Sequence, residues 1–195
     1  EAEAAEAGVA PPPRAAAAAR GDGGGAAAKP AFAKGKTSPP AAIAIVPSGL
    51  SAHVSTWNIK ALLSEHRYVS SENGKAELAG ARPPMPLKVS HTYEDGLRLQ
   101  LELVDNVAKL SDAEWQRVVC VVVAGNAWQF KGWPFADQAE LFSSVLGVEF
   151  RFADENPNQL TKGWNIKTLK LSKQVSKAHE VGAVVNQFWG ELRTS

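Results

Sequence analysis

The chain has 195 residues, long enough for one domain or for two small ones. It carries 21 basic and 20 acidic side chains and one cysteine, which excludes an intramolecular disulfide and a metal site built from several cysteines. Residues 1–40 hold 5 of the basic and 4 of the acidic groups, so the formal charge of residues 41–195 is zero. This excludes a strongly basic domain held on nucleic acid mainly by phosphate neutralisation, and no apolar run reaches the roughly 18 residues of a membrane span.

Residues 1–40 differ from the rest of the chain in composition. They contain 15 Ala, 6 Pro and 6 Gly, and Phe32 is their single aromatic residue. This is too little apolar surface to offset the entropy of ordering, so we predict a disordered linker or tail over residues 1–40 and one domain over residues 41–195. Gly35-Lys36-Thr37 resembles the end of a phosphate-binding loop, but Pro30 stands where the first glycine belongs. We therefore interpret it as part of a basic linker.

The first half of the domain predicts a strand, a helix and a β-hairpin. The apolar run over residues 43–46 is typical of a buried strand. Residues 50–63 place five apolar side chains on one face of a predicted helix with Ser48 or Ser51 as N-cap: Leu50, Val54, Trp57, Ala61 and Leu62. Residues 87–103 alternate apolar and polar side chains on both sides of Asp95-Gly96, which predicts a hairpin with a type I′ turn. On its apolar face, His91 is interpreted as a packed strand residue rather than a metal ligand.

The second half predicts three strands and three helices. Ser111-Asp112-Ala113-Glu114 has the form of a capping box and predicts a short helix. The apolar run over residues 118–123 predicts the central strand of a covered sheet, with Cys120 as an unreactive core residue. The remaining predicted elements are a helix capped by Asp137 and running to residue 146, strands over residues 148–152 and 164–171, and a last helix from about residue 180.

This element order predicts an α/β fold, a mostly parallel sheet with one antiparallel hairpin between two layers of helices. Ras-like (small-GTPase-like) domains have the same order, so we expect their three-layer fold. The nucleotide-binding loops are lacking, because Pro47-Ser48-Gly49-Leu50-Ser51 follows the first strand and Asp154-Glu155-Asn156-Pro157 occupies the guanine-reading position. We therefore predict no enzymatic activity, no cofactor and no metal, and keep as the alternative a degenerate small GTPase that binds nucleotide weakly.

The loop after the predicted central strand, residues 124–134, is unusually rich in aromatic side chains. Ligands of open α/β sheets bind at the carboxyl ends of the strands, where this loop lies. One interpretation is that its aromatic side chains fold back onto the core as a lid. The other is a recognition surface with aromatic anchors and a cation, Lys131. The solvent exposure of Trp128 and Trp133 distinguishes the two.

The same loop carries a family resemblance. Residues 127–134, which read Ala-Trp-Gln-Phe-Lys-Gly-Trp-Pro, resemble the C-terminal domain of the parafibromin (cell division control protein 73) family. The likeness continues through Ile45-Val46-Pro47, Asn58-Ile59-Lys60 and Pro157-Asn158, whereas residues 73–86 do not match. The resemblance implies a Ras-like domain without nucleotide binding, in agreement with the loops described above.

The resemblance also implies a function, that of a nuclear, non-enzymatic scaffold or recruitment module of the Paf transcription elongation complex. The expected partners are other Paf complex subunits, chromatin, and the phosphorylated C-terminal repeats of RNA polymerase II or of its elongation factor, with no membrane and no small-molecule substrate. Residues 161–195 carry six basic side chains against two acidic ones, which forms either a solvated face or a groove for phosphoserine peptides. The candidate partner-binding residues are Trp128, Gln129, Phe130, Lys131, Trp133, Lys167, Lys170 and Lys173.

Overall fold

The structure, a computed structural model, describes residues 40–173 and 178–195. The predicted linker lies outside the described residues except for Pro40, as does the Gly35-Lys36-Thr37 tripeptide. Both interpretations therefore stay predictions.

A six-stranded sheet forms the centre of the described domain, in the order β2-β3-β1-β4-β5-β6. Among its neighbours only β2 and β3 pair antiparallel. The mostly parallel sheet with one antiparallel hairpin is confirmed. The strands are β1 (Ala42–Ile45), β2 (Leu87–Thr92), β3 (Arg98–Val104), β4 (Val118–Val123), β5 (Leu146–Phe152) and β6 (Ile166–Leu171).

Helices cover both faces of this sheet. One face packs against α1 and α5, which bury Leu62 and Phe188 among the strand side chains. The other face packs against α4 through Leu141 and Phe142. The predicted three-layer arrangement is therefore confirmed. The helices are α1 (Ile59–Glu65), α2 (Ser71–Glu77), α3 (Asp112–Trp115), α4 (Gln138–Ser144) and α5 (Ala178–Thr194), with short 3-10 helices at Val107–Lys109 and Ala127–Phe130. None of these described helices is long and apolar enough to cross a bilayer.

Strand β4 is the buried centre of the fold, as its apolar run predicts. All six of its residues are buried, and three of them belong to each of the two core clusters. Cys120 lies in the middle of the strand, where burial raises the pKa of its thiol far above the ordinary value. Because the thiolate is the reactive form, this position keeps the side chain unreactive.

The local signals for α3 and α4 are also confirmed. Ser111 and Glu114 form the expected capping box, in which Glu114 Oε2 accepts the N–H of Ser111 at 2.8 Å. Asp137 Oδ1 accepts the N–H of Glu140 at 2.8 Å and begins α4. Each carboxylate or hydroxyl satisfies a backbone donor that the first helical turn leaves without a partner.

The helix predicted over residues 50–63 is wrong in its first half. Residues 50–58 form turns, α1 begins only at Ile59, and neither Ser48 nor Ser51 caps it. The reason is Asn58, whose side chain accepts the N–H of Ser55 at 2.8 Å and donates to two backbone carbonyls. These bonds compete with the helical ladder and stabilise the turns instead.

The hairpin has the predicted register but another turn. His91 lies opposite Leu99 as expected, yet Tyr93 N–H donates to Leu97 C=O, and Gly96 N–H donates to Tyr93 C=O. Gly96 has φ +80°, and Asp95 is not among the residues with positive φ, whereas a type I′ turn needs positive φ at both central positions. The loop is therefore a three-residue connection closed by a glycine bulge.

Candidate functional site

The carboxyl ends of β1, β4, β5 and β6 meet at one edge of the sheet, because these strands run parallel. The loop that follows β4, residues 124–134, lies at this edge and is called here the aromatic loop. Crevices at this edge of an α/β sheet are the usual place for ligands.

The aromatic loop is fastened to the sheet by Gln129. Its Oε1 accepts the N–H of Ala124, and its Nε2 donates to the carbonyl of Val122, both at 2.8 Å. Asn158 Nδ2 donates to Gly125 C=O at 2.8 Å from the loop after β5. Gly125 has φ +77°, and its missing side chain leaves room for the Asn158 amide. Gln129, predicted as a partner contact, thus holds the loop in shape.

Phe130 and Trp133 face inward. Phe130 is half-buried, with ring centroids 5.1 Å from Trp133 and 5.3 Å from Trp164. Trp133 also lies 5.5 Å from Trp115 in an edge-on arrangement. Edge-to-face pairs at these distances add stability beyond the area they bury. For these two side chains the structure matches the lid interpretation.

Trp128 faces outward. The side chain is 66% exposed, the largest exposure among the large hydrophobic residues that the structure describes as exposed. It borders a cavity of about 120 Å³ whose wall also includes Pro47, Asp105 and Trp133. Trp128 therefore has the geometry of the recognition interpretation, an indole presented beside a small apolar and acidic recess.

The four candidate lysines do not form one cluster. Side chains of a strand alternate between faces, so Lys167 and Lys170 of β6 lie on opposite sides of the sheet. Lys167 faces α5, where its Nζ lies 3.3 Å from Glu191 Oε2. Lys173 lies beyond the strand, 3.0 Å from Asp154 Oδ2 and above the ring of Phe152.

The remaining two lysines have no such partner. Lys170 is exposed on the face opposite α5, next to Arg151 of β5, and Lys131 is exposed on the aromatic loop. Neither forms an ion pair with a residue in the described ranges. They are therefore the two candidate cations that a phosphate can reach without displacing a carboxylate.

A second, polar cleft of about 300 Å³ lies between the loops after β1 and β5. His53 Nε2 approaches Glu155 Oε2 at 2.8 Å across it. The buried carboxylate of Glu149 accepts from Thr161 Oγ1 at 3.1 Å and lies 3.9 Å from Arg151. Among residues 40–173 and 178–195, no group of three or more His, Cys, Asp or Glu side chains could hold a metal ion.

Sequence reasoning missed two supports of the aromatic loop. Trp164 was predicted as a strand residue, but β6 begins at Ile166, and Trp164 packs instead against Phe130. Asn158 was noted only for its family likeness, and it fixes Gly125. Their position in the chain could have indicated this role. Both residues lie in the loop after β5, which is at the same edge of the sheet as the aromatic loop.

Comparison with known proteins identifies the family. Residues 38–195 match the family model described as RNA pol II accessory factor, Cdc73 family, C-terminal. The Protein CDC73 homolog of Arabidopsis thaliana is 31% identical over 165 residues, 83% of this chain and 39% of that protein. Cell division control protein 73 of Saccharomyces cerevisiae is 30% identical over 155 residues, 77% of this chain and 37% of that protein.

A solved structure described as the conserved domain of yeast Cdc73 is also similar. It matches with a TM-score of 0.66 and 28% identity, over 78% of this chain and 94% of that one. The match supports the Ras-like fold. The chain spans about two-fifths of the length of the two curated relatives described above. On the strength of the family model, the chain belongs to the Cdc73 family and contains its C-terminal domain.

Proposed function

We propose that this domain is a non-enzymatic recruitment module of the Paf transcription elongation complex and acts in the nucleus. It associates the complex with chromatin and with phosphorylated repeats of elongating RNA polymerase II or of its elongation factor. Membership of a family of RNA polymerase II accessory factors supports the role in transcription. The observation that carries the docking role is Trp128, which is 66% exposed on a loop fastened by Gln129 and Asn158.

An exposed indole on a fixed loop suits a docking anchor for a physical reason. Tryptophan is among the residues that dominate binding energy at interfaces. A loop already held by side-chain hydrogen bonds loses little conformational entropy when a partner binds, so more of the contact energy appears as affinity. The recess beside Trp128 offers the partner an apolar wall at Pro47 and Trp133.

Phosphate recognition is proposed mainly for two exposed lysines, Lys131 on the aromatic loop and Lys170 on β6. A phosphoserine brings a charge of about −2 and three acceptor oxygens, which form charge-assisted bonds with ammonium groups. Lys131 and Lys170 contribute most, because Lys173 and Lys167 already pair with Asp154 and Glu191. Lys167, on the opposite face of β6 from Lys170, contributes least.

A titration with repeat peptides tests the anchor. Fluorescence anisotropy of phosphorylated and unphosphorylated polymerase repeat peptides is measured at modest salt with the parent domain and with Trp128→Ala. We expect the parent to prefer the phosphorylated peptide and Trp128→Ala to bind it at least tenfold more weakly. The matched control is Leu78→Ala, which truncates another exposed apolar side chain, on the C-terminal end of α2. Equal affinity of the parent and Trp128→Ala removes Trp128 from the site.

Charge reversal tests the lysines separately. Lys131→Glu and Lys170→Glu should weaken binding of the phosphorylated peptide and reduce its salt dependence. Lys60→Glu, on the exposed side of α1, should leave both unchanged. If the two site variants keep the parent affinity while Trp128→Ala loses it, the anchor stands and the phosphate contacts are elsewhere.

A further inference from the structure

Strand β6 ends the described sheet and has one free edge. On its inner side it pairs with β5, and Ala153 N–H donates to Leu171 C=O at 3.0 Å. Backbone groups of successive strand residues point to alternate sides, so those of Leu171 and Leu169 point toward β5. Those of Thr168 and Lys170 consequently point away from the sheet. No hydrogen bond joins these outward backbone groups to any residue within 40–173 or 178–195.

The chain along this free edge is uniformly basic. Residues 161–173 contain four lysines and no acidic side chain. Two of the lysines, Lys162 and Lys170, have no ion pair with the described residues, and Lys167 keeps 55% side-chain exposure beside Glu191. Lysines on an edge strand oppose pairing with neutral or basic strands. For an acidic strand the same charges are complementary, because opposite charges on adjacent strands attract.

We propose that the free edge of β6 binds an extended, acidic, proline-free segment of another polypeptide, which adds as a seventh strand. The outward backbone groups of Thr168 and Lys170 supply the hydrogen bonds of the new ladder, and the lysines select acidic side chains. Affinity then comes from the main chain and selectivity from the charges, as in other cases of strand addition. The Trp128 recess is not part of this surface. Lys170 is shared with the proposed phosphate contacts, but the strand addition does not depend on the proposed function, and the methylated peptides and Thr168→Pro test it separately.

Modified peptides test whether the backbone N–H groups of the ligand pair with the edge of β6. The probe is a fluorescein-labelled octapeptide of alternating Glu and Val, titrated into the domain at low salt by anisotropy. Two further versions carry N-methyl groups on all four Glu or on all four Val residues. An added strand uses the N–H groups of only one alternate set, so one version should bind at least tenfold more weakly and the other like the parent peptide. Equal binding by all three peptides, or equal loss by both methylated ones, overturns the proposal.

The edge is tested on the protein with Thr168→Pro. This change removes an outward N–H that the β5 ladder does not use, and it keeps every lysine. Thr168→Val is the control for the hydroxyl that reaches Glu149, and Ser90→Pro is the matched change on β2 at the other edge of the sheet. We expect at least a tenfold loss for Thr168→Pro and none for the controls. Thermal unfolding checks that each variant is folded. If Thr168→Pro does not fold, the methylated peptides alone test the proposal.

One charge variant and one aromatic variant complete the test. Lys170→Glu should weaken peptide binding several-fold, whereas Trp128→Ala should leave it unchanged. If Trp128→Ala loses peptide binding, the binding site lies at the aromatic loop, and the proposal is overturned. Loss in Lys170→Glu combined with unaltered binding of both methylated peptides shows a charged patch without strand addition, which also overturns it.

Discussion

Asn58 shows how one buried side chain joins segments that are distant in sequence. It is 1% exposed, and its amide reaches Ser55 N–H, His53 C=O and Val69 C=O at 2.7–2.8 Å. The sequence pointed to Asn58 only through the family likeness. Helical periodicity placed it inside a helix, because periodicity counts apolar residues and is blind to a polar side chain that binds three backbone groups.

Asn58→Ala should therefore be strongly destabilising. It leaves three backbone groups without a partner in a buried region, and we expect the free energy of unfolding to fall by about 3 kcal/mol. Urea denaturation measures the loss. Asn106→Ala is the control, because its exposed side chain makes a single capping bond to Ala108 N–H, with an expected cost of about 1 kcal/mol. Similar losses in both variants would contradict the central role of Asn58.

His91 gives the domain a pH dependence at the residue scale. Its ring stacks on Trp189 at 5.1 Å, and burial, aided by the charge of His66, lowers the pKa of its imidazole. The unfolded chain then takes up a proton more readily than the native state, so stability should fall as pH drops below about 6.5. His91→Phe should reduce the fall in urea midpoint between pH 7.5 and pH 5.5. His179→Phe, which replaces an exposed histidine of α5, should leave that fall unchanged. If His91→Phe has the same pH dependence as the parent domain, His91 does not have this role.

At the scale of elements, sequence reasoning succeeded where a single local rule decides the structure. Apolar alternation predicted the hairpin strands, the capping box predicted α3, and the continuous apolar run predicted β4. Sequence reasoning did not predict α2, because residues 71–77 have no stripe of apolar side chains at helical spacing. Ser70 caps that helix through the N–H of Asn73, and Gly74 lies so close to the Trp57 carbonyl that a side chain there would overlap it. The position of α2 thus depends on a tertiary approach that propensity cannot show.

For this reason, two glycine-to-alanine changes should have opposite effects on the stability of the domain. In α5, a Cβ at Gly190 meets nothing within 4 Å, so Gly190→Ala should stabilise the domain by about 1 kcal/mol through helix propensity. In α2, the Cβ of Gly74→Ala overlaps backbone of Trp57, which cannot rotate away. We expect a loss of about 2 kcal/mol there. Thermal and urea unfolding compare the variants, and stabilisation by both would show that α2 moves freely away from Trp57.

On the scale of the whole molecule, sequence reasoning predicted the layers, the strand directions and the position of the aromatic loop. It could not predict which aromatic side chains of the site are exposed, or which of its lysines lie on the same face. Trp128 and Trp133 are the same residue type five positions apart, and only the packing of Phe130, Trp115 and Trp164 decides which indole is exposed. Lysine spacing suggested one groove, whereas strand parity places Lys167 and Lys170 on opposite faces. Composition reports how many charges a segment holds, and the fold decides which of them act together.

The fold leaves a cleft where a small GTPase would hold its nucleotide. The loop after β1 contains no lysine between residues 46 and 58 to bind phosphates. The cleft wall carries two carboxylates, Glu149 and Glu155, and its two basic side chains already face them, Arg151 at 3.9 Å from Glu149 and His53 at 2.8 Å from Glu155. A triphosphate therefore meets two carboxylates and no lysine of the kind that normally binds its phosphates. We expect calorimetric titration with GTP and Mg²⁺ to show no binding tighter than about 1 mM, with a small GTPase that has a complete phosphate loop as the positive control. Saturable binding in the micromolar range would instead favour the degenerate GTPase, and it would make the cleft, rather than Trp128, the functional centre of the domain.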